Sequence, residues 1–434
     1  MPEGTLAVGA GLVVLGLTAY LFFGVVARAL DPARYSEFSV LWTLVFFAAP
    51  GFMFPLEQEV SRAVSARRAL GLGGGPVIRR AAVLGGGLAL ALAIVVVVLS
   101  RPILDELFDG EVLLLVALVC ALPAYAATHL TRGALSGTGR FAAYGWMLCS
   151  EGVLRIVAAI GLAVVAVDAT GAYGILIPIA PILAIVIVAS RRGQRGTFEP
   201  GPEAPWSELS ESLGWLLLGS VLAQGFVNAN VPLLKLLAND EEDELVGQFL
   251  NGLIIARVPL FLFQAVQAAL LPKLAGLAAS GRFTDFRTGL RRLVAVVIAI
   301  GLAATVGGFA VGPSALRLFF GREYDRLGNA DMGYLALASA AFMLATALSQ
   351  ALIALKGHAR VALGWATAIV ALALVTWLST DDLLLRVELG LAVGALVGVA
   401  AMWTLLVLQM RAGVPDTVEP LLHELGPDHE NIEP

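Results

Sequence analysis

Arg191-Arg192-Gly193-Gln194-Arg195, followed by Glu199-Pro200-Gly201-Pro202-Glu203-Ala204-Pro205, is the widest polar gap in a chain that is otherwise mostly apolar. Proline and glycine forbid a continuous helix through it. Six apolar runs lie on either side, each close to the ~20 residues that cross a bilayer. In the first half they fall at roughly 6–27, 38–56, 81–100, 112–131, 142–167 and 172–189. In the second they fall at roughly 212–234, 248–271, 293–313, 331–353, 361–379 and 388–410. The longest inner loops also recur at matching places, after the second and the eighth run. The pattern predicts an all-α polytopic membrane protein of about 12 transmembrane helices, as two six-helix lobes over 1–205 and 206–414. Two halves of one topology suggest a parallel repeat, an arrangement that places a site between lobes. The remaining segment, 415–434, is acidic and proline-containing, a composition that predicts a disordered tail.

Composition excludes most alternatives. Of 434 residues 59% are hydrophobic and only 14% charged, with a mean hydropathy of +0.86. A soluble chain carries roughly 25% charged residues, so no separate soluble domain is expected. The net charge of −5 comes largely from Asp240-Glu241-Glu242-Asp243-Glu244 and the tail, and signals no basic surface for nucleic acid. Lys235, Lys273 and Lys356 are the lysines among 28 basic residues, a composition that suggests a GC-rich bacterial genome. Cys120 and Cys149 lie in separate apolar runs, so neither a disulfide framework nor a metal site is expected. The first run, Leu6–Val26, lacks a basic n-region and a cleavage site and reads as a retained helix.

Arginine density sets the orientation. With both termini cytoplasmic, the inner loops hold Arg62, Arg67, Arg68, Arg79, Arg80, Arg132, Arg140, Arg191, Arg192 and Arg195 in the first half. The second half adds Lys273, Arg282, Arg287, Arg291, Arg292, Lys356, Arg360 and Arg411. The outer side holds only Arg28, Arg34, Arg101, Lys235, Arg317, Arg322, Arg326 and Arg386. The positive-inside rule favours this arrangement, in what is then a bacterial inner membrane.

No catalytic constellation is present. Gly71–Gly75 lacks the Lys-Ser/Thr of a phosphate-binding loop, and Gly133–Gly139 ends in arginine. His129, His358, His423 and His429 show no ligand spacing. Neither an enzyme activity nor a cofactor or metal is expected.

Several segments carry a resemblance. Arg132-Gly133-Ala134-Leu135-Ser136-Gly137-Thr138-Gly139-Arg140-Phe141-Ala142-Ala143-Tyr144, continuing to Glu151-Gly152-Val153-Leu154-Arg155, resembles the fourth-to-fifth helix junction of polysaccharide-biosynthesis membrane proteins, the flippases of O-antigens and lipid-linked oligosaccharides. Asp31-Pro32-Ala33-Arg34-Tyr35-Ser36-Glu37-Phe38, Phe320-Gly321-Arg322-Glu323-Tyr324 and Ser349–His358 resemble other parts of the same family. The resemblance implies the multidrug, oligosaccharidyl-lipid and polysaccharide exporter fold, two six-helix lobes around a central cavity lined by helices one, two, seven and eight. Related lipid II flippases have fourteen helices. Cation-coupled drug exporters carry acids in helix one or seven, whereas Leu6–Val26 and Leu213–Leu234 contain no Asp or Glu.

Charges at membrane depth are the candidate site residues, because each costs ~2.5–3.5 kcal/mol at mid-bilayer unless it meets a cavity or a partner. Arg257, near the middle of helix eight, either binds a diphosphate bidentately or satisfies an interhelical carbonyl or acid. Asn251, Gln224, Asn228 and Asn230 offer hydrogen bonds to sugar hydroxyls. Glu151 and Arg155, four residues apart, pair on one helical face or face the cavity. Glu57, Glu59 and Arg62 form a cytoplasmic gate or a solvated helix end. Arg28 meets a phosphate late in translocation or snorkels to the interface. The tryptophans, mostly near run ends, read as interfacial anchors. Together these readings give a flippase-like transporter that moves a polyprenyl-diphosphate-linked glycan to the outer leaflet by alternating access. Membrane lipids and glycosyltransferases or a polymerase are its expected partners. The alternatives are an exporter of small amphipathic molecules and a non-transporting scaffold of glycan synthesis.

Overall fold

The computed structural model describes residues 5–69, 71–190, 199–204, 213–239, 242–260, 263, 277, 282–321, 326–355 and 357–412. The expected tail at 415–434 lies outside them. The first half comprises α1 (Thr5–Ala29), α2 (Pro32–Ala48), α3 (Phe54–Ala69), α4 (Gly75–Val98), α5 (Ser100–Leu107), α6 (Val112–Gly137), α7 (Phe141–Val164), α8 (Thr170–Gly174) and α9 (Leu176–Ser190). The second comprises α10 (Leu213–Asn228), α11 (Asn230–Leu237), α12 (Asp243–Ala256), α13 (Phe283–Phe320), α14 (Asn329–Ala354), α15 (His358–Leu378) and α16 (Leu383–Ala412). Among the described residues 10 helices are long and apolar enough to cross a membrane, and the α10–α11 pair, bent by 49°, makes an eleventh. With α12 at the start of the remaining apolar run, the chain is an all-helical, multi-pass membrane protein of about 12 spans.

Local chemistry explains where several helices start and how far they run. Asp31 caps α2 by accepting the Arg34 backbone N–H at 3.0 Å, with Pro32 in the first turn. This is the favourable use of both residue types. Pro50 then removes a donor from the helix interior, and the chain absorbs the defect as a π-helical turn, Ala49–Met53. Helix therefore continues from Pro32 to Arg68, 37 residues, well past the expected end near 56. Glu57, Glu59 and Arg62 ride on its extension. Similarly, α6 continues to Gly137 instead of ending near 131, which carries Arg132 inside the protein. Both extensions are stable because α3 and α6 pack on one another and cover each other's polar residues.

The two halves repeat one packing scheme. In the first, α1 packs on α7, α3 and α4 on α6, and α9 on both α6 and α7. In the second, α10 packs on α15, α12 and α13 on α14, and α16 on both α14 and α15. Each of these contacts of the first lobe has its counterpart in the second, as a parallel repeat demands. The described part of the opening polar gap docks on the first lobe. Arg67 donates to the carbonyls of Pro202 (2.8 Å), Gly73 (3.1 Å) and Glu203 (3.2 Å), and Ala204 is buried in the apolar cluster that also holds Leu56 and Val60.

Outward faces of α4, α7, α13 and α15 expose leucine, isoleucine and valine, a surface suited to lipid. Two tryptophans depart from the interfacial role. Trp42 and Trp365 are core residues, Trp42 stacked on Phe46 with centroids 4.1 Å apart, and Trp365 against Phe342 at 5.2 Å.

The α1–α7 crossing relies on glycine. A Cβ on Gly145 would sit 2.2 Å from the Ala7 carbonyl oxygen, and one on Gly11 2.5 Å from that of Gly145. Two backbones touch there, as small residues allow in membranes. Gly145→Ala is expected to lower stability by roughly 1–3 kcal/mol, whereas Gly9→Ala, which meets nothing within 4 Å, leaves it unchanged or raised. Thermal melting of the purified protein in detergent checks the contrast.

Candidate functional site

Two helix breaks of the second lobe meet each other. The α10–α11 bend at Ala229 stands between Asn228 and Asn230. The second break ends α12: Arg257 is its C-cap residue, and Pro259 two positions on has no N–H to continue the ladder. Arg257 thus does not lie in the middle of an unbroken helix, as the apolar run implied. Its Nη2 donates to the carbonyl of Val227, in the last turn before the other break. A guanidinium has five N–H donors, and among the described residues no carboxylate pairs with it. It shares an apolar pocket with Phe226, Val227, Leu253, Leu260, Ala338, Ser339, Phe342 and Leu391. Phe226 and Phe342 stack at 6.1 Å, nearly parallel, and give this pocket an aromatic wall. The site is a cation with donors to spare, set in apolar surroundings.

The amide residues lie along the seam. Asn228 Nδ2 donates to Phe46 O at 3.2 Å in the opposite lobe and to Gln224 Oε1 at 2.9 Å. Asn230 is buried and donates back to Phe226 O at 3.0 Å and to Val227 O at 3.2 Å. Asn251 is also buried; its Oδ1 accepts from the Tyr35 hydroxyl at 2.6 Å, while its Nδ2 has no partner. Further bonds join the lobes: Tyr20 OH to Ile254 O at 3.2 Å, Ser220 Oγ to Pro50 O at 3.2 Å, and Lys235 Nζ to Asp109 Oδ2 at 2.9 Å. Tyr35, Asn251, Lys235 and Asp109 hold the lobes together at the Asp31 end of the bundle. Arg28 lies elsewhere, exposed and folded back on Gly24 O at 3.3 Å of its own helix.

The remaining candidate charges form a buried network inside the first lobe. Arg155 Nη2 donates to Glu151 Oε1 at 2.6 Å, and Arg132 Nη2 donates to Glu151 Oε2 at 2.5 Å. Arg155 also reaches the Tyr125 hydroxyl at 3.3 Å and lies 5.6 Å from the Trp42 ring, a cation–π contact. Glu57 meets His129 Nδ1 at 2.6 Å and accepts from the Tyr144 hydroxyl at 2.7 Å, both from its own lobe. Arg62 pairs with Glu59, one turn away. His129, Arg132, Tyr125 and Tyr144 are absent from the sequence candidates. The signal was available: Arg132 follows His129 by three residues on an uninterrupted helical pattern, so the two share a face. Here two guanidiniums are matched by two carboxylates. Among the described residues Arg257 has no such match.

No protein-family model matches the chain. In sequence it is 28% identical over 403 residues to the uncharacterized protein Rv1510 of Mycobacterium tuberculosis, covering 91% of this chain and 89% of that one. It is also 28% identical over 405 residues to the uncharacterized protein Mb3654 of Mycobacterium bovis, covering 90% and 89%. In structure it superposes on an inward-facing multidrug-resistance MATE family transporter of the MOP superfamily with a TM-score of 0.72, at 15% identity, covering 95% of this chain and 96% of that one. The chain has the MATE fold. An outward-facing MATE structure matches with a TM-score of 0.67, at 15% identity and with 94% and 95% covered. A variant of the Vibrio cholerae MATE transporter VcmN matches with 0.69, at 16% identity and with 94% and 96% covered.

Removing one partner of a buried ion pair strands the other charges, at a cost of about 3–5 kcal/mol. Glu151→Gln leaves Arg132 and Arg155 facing each other across a neutral amide. The variant is expected to melt well below wild type or to fail to accumulate, whereas Arg282→Gln, at the exposed Arg282–Asp285 pair, changes stability by less than about 1 kcal/mol. Melting curves of both variants in the same detergent check this.

Proposed function

We propose that this protein is an alternating-access transporter that moves a polyprenyl-diphosphate-linked glycan from the cytoplasmic to the outer leaflet of a bacterial inner membrane. One observation carries the reading: Arg257, at a helix break of the second lobe, has donors left over and, among the described residues, no acid beside it. A lone guanidinium in an apolar pocket is a site for an amphipathic anion. It takes phosphate oxygens bidentately, and the surrounding side chains suit the first apolar atoms of a lipid. Asn228, Asn230, Gln224 and Asn251 supply amides along the same seam for a glycan once the lobes part.

The arginine count puts the Asp31 end outside, and that is where Tyr35–Asn251 and Lys235–Asp109 tie the lobes. The conformation is then one closed to the outside. Substrate enters from the cytoplasmic leaflet, its diphosphate engages Arg257, and rocking of the lobes separates the outer contacts. The lipid tail stays in the bilayer between them.

A second reading, export of a small amphipathic molecule, is favoured by the Phe226–Phe342–Trp365 aromatic cluster beside the pocket. Such a wall suits a flat hydrophobic compound as readily as a lipid.

The test is translocation of fluorescent polyprenyl-diphosphate sugars in proteoliposomes. Wild type is expected to move them. Arg257→Ala should slow transport by roughly 10- to 100-fold, the worth of a charge-assisted hydrogen bond at about 1.5–3 kcal/mol, with Arg257→Lys in between. Unchanged transport by Arg257→Ala sinks the phosphate assignment. Transport of neutral or cationic amphiphiles but not of the diphosphate would establish the second reading instead.

A further inference from the structure

Gly71–Gly75 lacks a phosphate-binding motif, and residues 199–204 show what it holds instead. Gly71 turns the chain after α3 with a φ of +72°, a conformation that glycine adopts without steric cost. A Cβ on Gly73 would sit 2.2 Å from the Pro200 carbonyl oxygen, and one on Gly201 2.5 Å from that of Gly73. Two backbones touch there, and glycine is what lets them. The Gly75 N–H belongs to the first turn of α4, where it has no partner in its own helix. It donates to Glu199 O at 2.9 Å. Pro200 and Pro202 have no N–H, so this stretch offers chiefly carbonyls. Arg67, buried at the end of α3, has five donors and no acceptor, and it takes the carbonyls of Pro202, Glu203 and Gly73 together. Ala204 completes the contact in the apolar cluster of Leu56, Val60, Val77 and Ala134.

This docking changes how the lobes are tethered. Leu213, where α10 begins, is 23 residues on from Ser190 at the end of α9, but nine from Ala204. An extended chain spans at most ~3.3–3.6 Å per residue, so the tether reaches about 80 Å counted from Ser190 and about 30 Å counted from Ala204. Every group that seats residues 199–204 belongs to the first lobe: Arg67 and Val60 of α3, Gly75 of α4, Ala134 of α6. The arginine count puts this end of the lobe on the cytoplasmic side.

We propose that residues 199–204 are a strap, clasped by Arg67 and seated on Gly73–Gly75, that fastens the interlobe chain to the first lobe and limits how far the cytoplasmic ends of the lobes part. The strap travels with the first lobe through the cycle. Its seating stands on its own; the limit on opening rests on the alternating-access reading above, and not on the glycan.

Gly-Ser inserts of about ten residues, placed at two points of the full chain, test the limit. One follows Ser190, ahead of the strap; the other follows Ala204, beyond it. Cys120→Ser and Cys149→Ser remove the native thiols, and spin labels at Ala66→Cys on α3 and Thr284→Cys on α13, both exposed, report the distance between lobes in nanodiscs. The insert after Ala204 is expected to add a population longer by on the order of 10 Å, and the insert after Ser190 to leave the distribution unchanged. Equal effects of the two inserts overturn the limit. Two populations that neither insert shifts overturn it as well, while one fixed distance in every variant counts against alternating access too. Hydrogen exchange reads the seating separately. The Gly75 amide is expected to exchange about 10-fold faster in Arg67→Ala and in Gly201→Ala, the second of which displaces the strap without altering α3 or α4. Unchanged protection of Gly75 in both variants overturns the strap.

Discussion

A bilayer makes an uncompensated charge expensive, and the distribution of compensated and uncompensated charge organises this molecule. In the first lobe, Glu151 bridges Arg132 and Arg155 while Glu57 is held by His129 and Tyr144, all from helices of the same lobe. That network ties α3, α6 and α7 into one body. In the second lobe, among the described residues, Arg257 has only a backbone carbonyl. The same principle that makes the network a fastening is what makes the lone arginine the proposed binding site, because a charge at depth is retained only where something satisfies it.

The breaks in α10 and α12 follow from this arrangement. A helix interrupted at membrane depth frees backbone groups that water cannot reach, so interruptions survive only where a cavity or a polar side chain meets them. Arg257 answers the α10–α11 break through Val227, and Asn230 answers it through Phe226 and Val227. One guanidinium therefore serves the fold with one nitrogen and, in the proposed function, offers the rest to a ligand. Of the two roles open at the level of sequence, the structure shows the one that satisfies a carbonyl, and the binding role is the proposal.

Much of the architecture was legible before the structure. Run lengths and the Pro-Gly gap near 200 give the number of spans and two halves, because hydrophobic length is a one-dimensional property. What escaped was the reach of helices beyond their apolar cores. A charged tail on an apolar run reads as loop when only hydropathy is counted, yet α3 and α6 carry their charges inward because each covers the other. Glu57 and Arg132 are accordingly network members instead of rim residues. Trp42 and Trp365 show the same limit: position near a run end suggested an interface, but three-dimensional packing put them in the core. The pairing of Arg155 with Glu151 is a four-residue relation, while the arrival of Arg132 at the same carboxylate is a tertiary one.

The account stands on the claim that an anionic head group reaches Arg257. A polyprenyl-diphosphate carrying a photoactivatable diazirine on the isoprene next to the diphosphate tests it most directly. After irradiation of the protein in nanodiscs, labelled peptides are expected to map to α12 around Leu253 and to α14 around Ala338 and Phe342, with unlabelled diphosphate lipid competing. Labelling spread along the lipid-facing surface of α13, with no competition, would contradict it.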